Sequence, residues 1–118
     1  MNETRSVDLF AGLPVSDLAR VVDWYERLLG AGPAFYPNDT EAVFELAEHR
    51  YLYLEVLPER AGHGLCTLFV PDLDERIASA GARGVRPVHR ETYDNGVRKA
   101  IYRDPEGNEI GLGGGPVD

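Results

Sequence analysis

Cysteine is nearly absent: Cys66 stands alone. That excludes an intramolecular disulfide framework and any cysteine-rich zinc module. Apolar runs are short, and none approaches the roughly 18 residues that cross a bilayer, so no membrane partner is expected. Met1-Asn2-Glu3-Thr4-Arg5 lacks the basic-then-apolar order of a secretory leader, and a cytoplasmic location is expected. Lysine is almost missing too, with Lys99 beside 11 arginines. The 12 basic residues are outnumbered by 20 acidic ones, a net charge of −8, and they cluster little, His89-Arg90 and Arg98-Lys99 being among the densest pairs. Phosphate backbones would be repelled, so no nucleic-acid partner is expected, whereas cations would be attracted. There is no Gly-x-Ser-x-Gly elbow, phosphate loop or dinucleotide fingerprint. The glycine run at Gly111 to Gly115 precedes no helix and cannot cradle a phosphate in the usual way.

What is present is one domain's worth of chain, 118 residues with 43% hydrophobic and 27% charged side chains, enough to fold without staples. It repeats itself at an offset of about 55 residues, a pattern to be sought before any motif. Val15, Asp17 and Leu18 recur as Val70, Asp72 and Leu73. In the first copy, about 7–57, alternation from Val7 to Val15 predicts a strand. Ser16 or Asp17 caps a helix whose apolar positions run from Leu18 to Leu29, and Gly30 stops it. Phe35-Tyr36, Ala42 to Ala47 and Arg50 to Leu57 read as three strands. In the second copy, about 63–113, Leu65 to Val70, Val85 to Glu91, Val97 to Arg103 and Glu109 to Leu112 read as strands, with a helix over Asp72 to Ala82. Pro58 to Gly64 is the linker, Asp104 to Asn108 a turn, and Gly113 to Pro116 is expected to fray. Each half is therefore β-α-β-β-β.

Two such halves carrying Val15-Ser16-Asp17-Leu18, Trp24 to Gly30 and Arg103-Asp104-Pro105-Glu106-Gly107-Asn108-Glu109-Ile110 resemble the vicinal oxygen chelate superfamily, which groups glyoxalases, bleomycin-resistance proteins and extradiol dioxygenases. The resemblance runs from about residue 7 to 113. It implies an α+β fold of two curved mixed sheets, with helices on the convex sides and a cleft between the concave faces. It also implies four metal-ligand positions, which fall on Phe10, Glu45, Leu65 and Gly111. Of these only Glu45 has a donor, while a divalent ion needs about three protein ligands. No metal and no cofactor is therefore expected, nor the Lewis-acid chemistry that goes with them.

What remains is an aromatic cleft with charges in it. Strand parity sends Leu52, Leu54 and Val56 toward the helix and Tyr51, Tyr53 and Glu55 toward the cleft. Phe10, Val43 and Glu45 face inward by the same parity, as do Leu65, Thr67 and Phe69. His89, Arg98 and Tyr102 are the candidates on the later strands. The candidate ligand-binding set is thus Phe10, Glu45, Tyr51, Tyr53, Leu65, Phe69, His89, Arg98 and Tyr102, with no catalytic residue assigned. Rings stack a flat ligand and carboxylates fix a positive charge. Each residue has a plainer use: Phe10 as core, Tyr51 and Tyr53 at an interface, and Glu45 as an ion-pair partner of Arg98. Trp24 packs its helix on the sheet, and Cys66 is a buried thiol. The reading is a metal-free protein that sequesters an aromatic, cationic small molecule such as an antibiotic, working as a homodimer as the bleomycin-resistance relatives do. The alternative is a lyase or isomerase, either metal-free with Glu45 beside His89 or Tyr53, or with a displaced metal site that draws in His63 and His89.

Overall fold

The computed structural model describes residues 7–117; Met1 to Ser6, which hold the segment read for a leader, and Asp118 lie outside the described residues. Two four-stranded mixed sheets form, each with its own helix. The elements of the first half are β1 (Leu9–Val15), α1 (Leu18–Leu29), β2 (Phe35–Asn38), β3 (Glu41–Ala47) and β4 (Arg50–Val56). Those of the second are β5 (Leu65–Phe69), α2 (Leu73–Ala82), β6 (His89–Thr92), β7 (Arg98–Arg103) and β8 (Glu109–Gly114). The strand orders are β1-β4-β3-β2 and β5-β8-β7-β6. The first strand of each half runs parallel to its last, and all other pairs are antiparallel. The predicted α+β class and doubled β-α-β-β-β order are what the chain adopts.

Local chemistry sets the boundaries. Asp17 caps α1, accepting from the Arg20 N–H at 3.3 Å, and Gly30 ends the helix at φ 86, where a residue without Cβ carries no steric penalty. Leu13, Val15, Leu52 and Leu54 meet Val21, Tyr25 and Leu28 in one buried cluster. That cluster continues into Leu73, Ala80, Ala100, Ile110 and Leu112 of the second half, so one core serves both sheets. Pro58–Arg60 of the linker takes a single helical turn.

Two expectations need correction. Regular pairing of β6 starts at His89 and not Val85, because Pro87 has no N–H to give a ladder. Gly113 and Gly114 do not fray: they are buried inside β8 and paired to β7. Leu73 packs so closely on Gly114 that a Cβ there would lie 2.8 Å from its own, and Phe69 lies beside Gly113. Tight packing on both faces holds a segment that carries no hydrophobic signal of its own.

The halves are tied within the chain by the turn between β7 and β8. Asn108 is fully buried; it donates to the Pro14 carbonyl at 2.8 Å and accepts from the Gly64 N–H at 2.7 Å. Asp104 accepts from the Tyr25 hydroxyl and from Asn108, each at 2.9 Å. Glu106 accepts from the Ser16 and Asp17 N–H groups and the Ser16 hydroxyl at the start of α1. Burial alone would raise the Glu106 carboxyl, but the bonds from Asp17 and Ser16 and the nearby Arg20 outweigh it and hold its pKa below the ordinary value. Tyr25 moves the other way: burial, then the adjacent Asp104, pushes its hydroxyl far above the usual phenol range. It stays a donor at every physiological pH.

Candidate functional site

The concave face of the first sheet is laid out by its register. Phe10, Tyr51 and Glu45 lie in one row across β1, β4 and β3, and Gly12, Tyr53 and Val43 in the next. The Phe10 and Tyr51 rings stack at 4.5 Å between centroids, 15° from parallel. Tyr53 folds across Gly12, where any Cβ would collide with its ring. Leu52 and Leu54 are buried on the opposite side. The alternation in β4 thus sorts aromatic from aliphatic as its sequence predicts.

The second sheet offers a different surface. Leu65, Thr67 and Phe69 of β5 share a face with Glu109, Gly111 and Gly113 of β8 and with Lys99, Ile101 and Arg103 of β7. Leu65 and Phe69 are 69% and 68% exposed. Here two sequence candidates move. Tyr102 pairs with Ile110 on the helix side and is fully buried in the core; its hydroxyl has no hydrogen-bond partner among the described residues. Arg98 is also on the helix side, donating to Asp74 of α2 at 2.8 Å and to the Gly115 carbonyl at 3.0 Å. It is therefore not the partner of Glu45. Lys99, Ile101 and Arg103 hold the places assigned to Arg98 and Tyr102. The signal was ambiguous, because β7 carries apolar residues on both parities, Ala100 and Tyr102 against Ile101.

Three depressions divide Glu45, Tyr51, Tyr53, Phe69 and His89, and Phe10 and Leu65 line none of the three. One, of about 410 Å³, lies between the halves and is lined by Glu45 and Tyr51 from the first and Thr67, Leu68 and Phe69 from the second. Cys66 also borders it, and burial raises the thiol pKa. The second, of about 500 Å³, gathers Gly12, Tyr53, Glu55, Glu59 and His63 beside the linker, and sequence reasoning did not assemble it. The third, of about 370 Å³, sits against α2 and β6 and takes Arg86 and His89. Glu45, His63 and His89 thus line three separate spaces. Among the described residues no three His, Cys, Asp or Glu side chains come together as a metal-binding group. At the four positions implied by the family, one carboxylate does not make a donor set for a divalent ion.

The face that unites Phe10, Tyr51, Tyr53 and Glu45 can bind a flat molecule by stacking and fix a positive charge on it. Trp24 is not part of that face. It packs edge-on against Tyr25 at 4.8 Å on α1.

Comparison with known proteins agrees with this architecture. The family model described as Glyoxalase/Bleomycin resistance protein/Dioxygenase superfamily matches residues 7–112. A glyoxalase/bleomycin resistance protein from Catenulispora acidiphila is similar at 51% identity and TM-score 0.90, over 94% of this chain and 100% of that one. A bleomycin-binding protein solved with bleomycin shares 22% identity at TM-score 0.76, over 92% and 98% of the two chains. A lactoylglutathione lyase from Agrobacterium tumefaciens shares 20% identity at TM-score 0.78, over 93% and 94%. The last two similarities concern the fold alone. No curated protein matches the sequence.

Proposed function

The chain belongs to the Glyoxalase/Bleomycin resistance protein/Dioxygenase superfamily, and we propose that within it this protein binds and sequesters an aromatic, positively charged small molecule such as an antibiotic, without a metal. The observation that carries this reading is Tyr51 and Glu45, paired in register on the wall of a cavity of about 410 Å³, with the Phe10 ring stacked on Tyr51 beside it. That volume falls in the range of small-molecule sites. A bleomycin-binding protein of the same fold supports the ligand class.

The working unit is a cytoplasmic homodimer in this reading. Leu65, Phe69, Phe10 and Phe35 are large apolar side chains that one chain leaves exposed. A second copy would cover part of that surface, and two-fold pairing is the commonest way to do so. Light scattering should return twice the 13.0 kDa chain mass.

Calorimetric titration with bleomycin and with the aromatic cation ethidium tests the ligand class. Saturable heat that is lost in Glu45→Gln and Tyr51→Ala, with both variants still folded, is the expected result. Failure of both ligands to bind, or variants that bind as the parent does, would overturn it. A lyase or isomerase would instead lose turnover and keep binding when Glu45 is replaced.

A further inference from the structure

The stacked rings and Glu45 belong to the concave face of the first sheet, and the matching face of the second is still without a role. There the floor is Gly111 and Gly113, and Lys99 lies across Gly111. A Cβ on Gly111 would stand 2.7 Å from the Lys99 Cε and 3.2 Å from the Thr67 hydroxyl oxygen. The bare glycine is therefore what lets the lysine stem lie across the strand on the side that Thr67 shares. Thr67 in turn lines the same cavity as Glu45 and Tyr51. The neighbouring basic side chains already have partners: Arg103 pairs with Glu109 at 3.2 Å, and the His89 ring lies 3.5 Å from Glu91. Glu91 stands opposite Lys99 across the strands, but its carboxylate is taken by the Tyr93 hydroxyl and His89. No described ion pair includes Lys99, which is partly buried on an otherwise acidic protein.

We propose that Lys99, with the Thr67 hydroxyl, forms an anion-binding pole of the cleft, so that the ligand is an amphoteric aromatic compound bearing a carboxylate, sulfonate or phosphate group as well as a cation. An ammonium beside a hydroxyl is a donor set for an anionic oxygen, and partial removal from water strengthens the pairing. Glu45 and Lys99 stand on opposite halves, so they orient such a ligand as well as hold it. This inference rests on the reading of the cavity as an aromatic ligand site.

A matched pair of fluorescent probes separates the two ideas. Anilinonaphthalene sulfonate carries one anionic group, and N-phenyl-naphthylamine is the same ring system without it. The wild-type chain should bind the sulfonate about tenfold more tightly, the size of one charge-assisted hydrogen bond. Lys99→Gln should bring the sulfonate down to the level of the uncharged probe and leave the latter unchanged. Arg103→Gln, which removes an equal charge already paired with Glu109, should do neither. In the wild-type chain the preference should also shrink as salt is raised. Equal binding of the two probes, or a sulfonate loss no larger in Lys99→Gln than in Arg103→Gln, would overturn the anion pole and leave the aromatic site standing. If the sulfonate alone binds, and through Lys99, the aromatic reading fails and the anion pole survives. If neither probe saturates, both fail.

Discussion

The two halves share strand order, strand direction and helix placement, yet their concave faces are built in opposite ways. The central strand of the first sheet shows Tyr51, Tyr53 and Glu55, and that of the second shows Glu109, Gly111 and Gly113 at the matching register. One wall is raised by rings and carries carboxylates. The other is cut down to backbone, and the space is taken by residues from its neighbours, Lys99 and Phe69. Repetition of a fold unit therefore fixes the shape of the cleft and leaves its chemistry free to diverge, because inward side chains of a strand answer to nothing in the core. The hairpin turns diverge as well. Glu48-His49 in the first half closes locally, with His49 at φ 66, whereas Asp104 to Asn108 in the second reaches into the other half.

That contrast between turns predicts the largest effect. Asn108→Ala strips partners from the Pro14 carbonyl and the Gly64 N–H and should lower stability by roughly 2–4 kcal/mol in chemical denaturation, because buried polar groups are left unsatisfied. His49→Gly at the matching turn should stay within about 1 kcal/mol of the parent, since glycine relieves the left-handed backbone and the contacts it loses to Asp8 and Glu48 are exposed. Comparable losses in both would mean that the turns are equivalent after all.

The walls should differ by a smaller amount. Gly12→Ala drives a methyl into the Tyr53 ring and should cost about 1–3 kcal/mol, recovered in part when Tyr53 is also truncated. Gly111→Ala meets the far end of a flexible lysine and the Thr67 hydroxyl at 3.2 Å, and should cost about 1 kcal/mol or less. Thermal denaturation of the two single variants and of the double variant reads this directly.

The smallest effect is in acid. The folded pKa of Glu106 lies below its ordinary 4.5, so the stability it contributes is complete above that value and drains away as pH falls through the folded pKa. Glu106→Gln should flatten the acid limb of the stability curve and leave the shape of the neutral region unchanged. An acid limb as steep as the parent's would assign that loss to other carboxylates.

Much of this was legible in the sequence, and unevenly so. The strict alternation of Tyr51, Leu52, Tyr53 and Leu54 places four side chains without ambiguity, and Asp17 and Gly30 bracket α1 as short polar and Cβ-free residues do. Strand β7 was not legible. Arg98 and Tyr102 looked like cleft residues because apolar side chains occur on both of its faces, and only the pairing with β8 shows which face is buried. The glycines of β8 carry no pattern at all, and the order of that strand comes from Leu73, Phe69 and β7 around it. The reach of Asn108 to Pro14 spans 94 residues, beyond any local signal.

The most direct test of the central claim, that the ring-bearing wall of the first half is a ligand site, is a titration of uncharged N-phenyl-naphthylamine into the wild-type chain, Tyr51→Ala and Tyr93→Ala. Tyr93 is an exposed aromatic outside the cleft and serves as the control. Saturable binding weakened at least about fivefold by Tyr51→Ala, as expected for a lost stacking partner, and untouched by Tyr93→Ala is the predicted result. Binding that ignores Tyr51, or none that saturates, would contradict it.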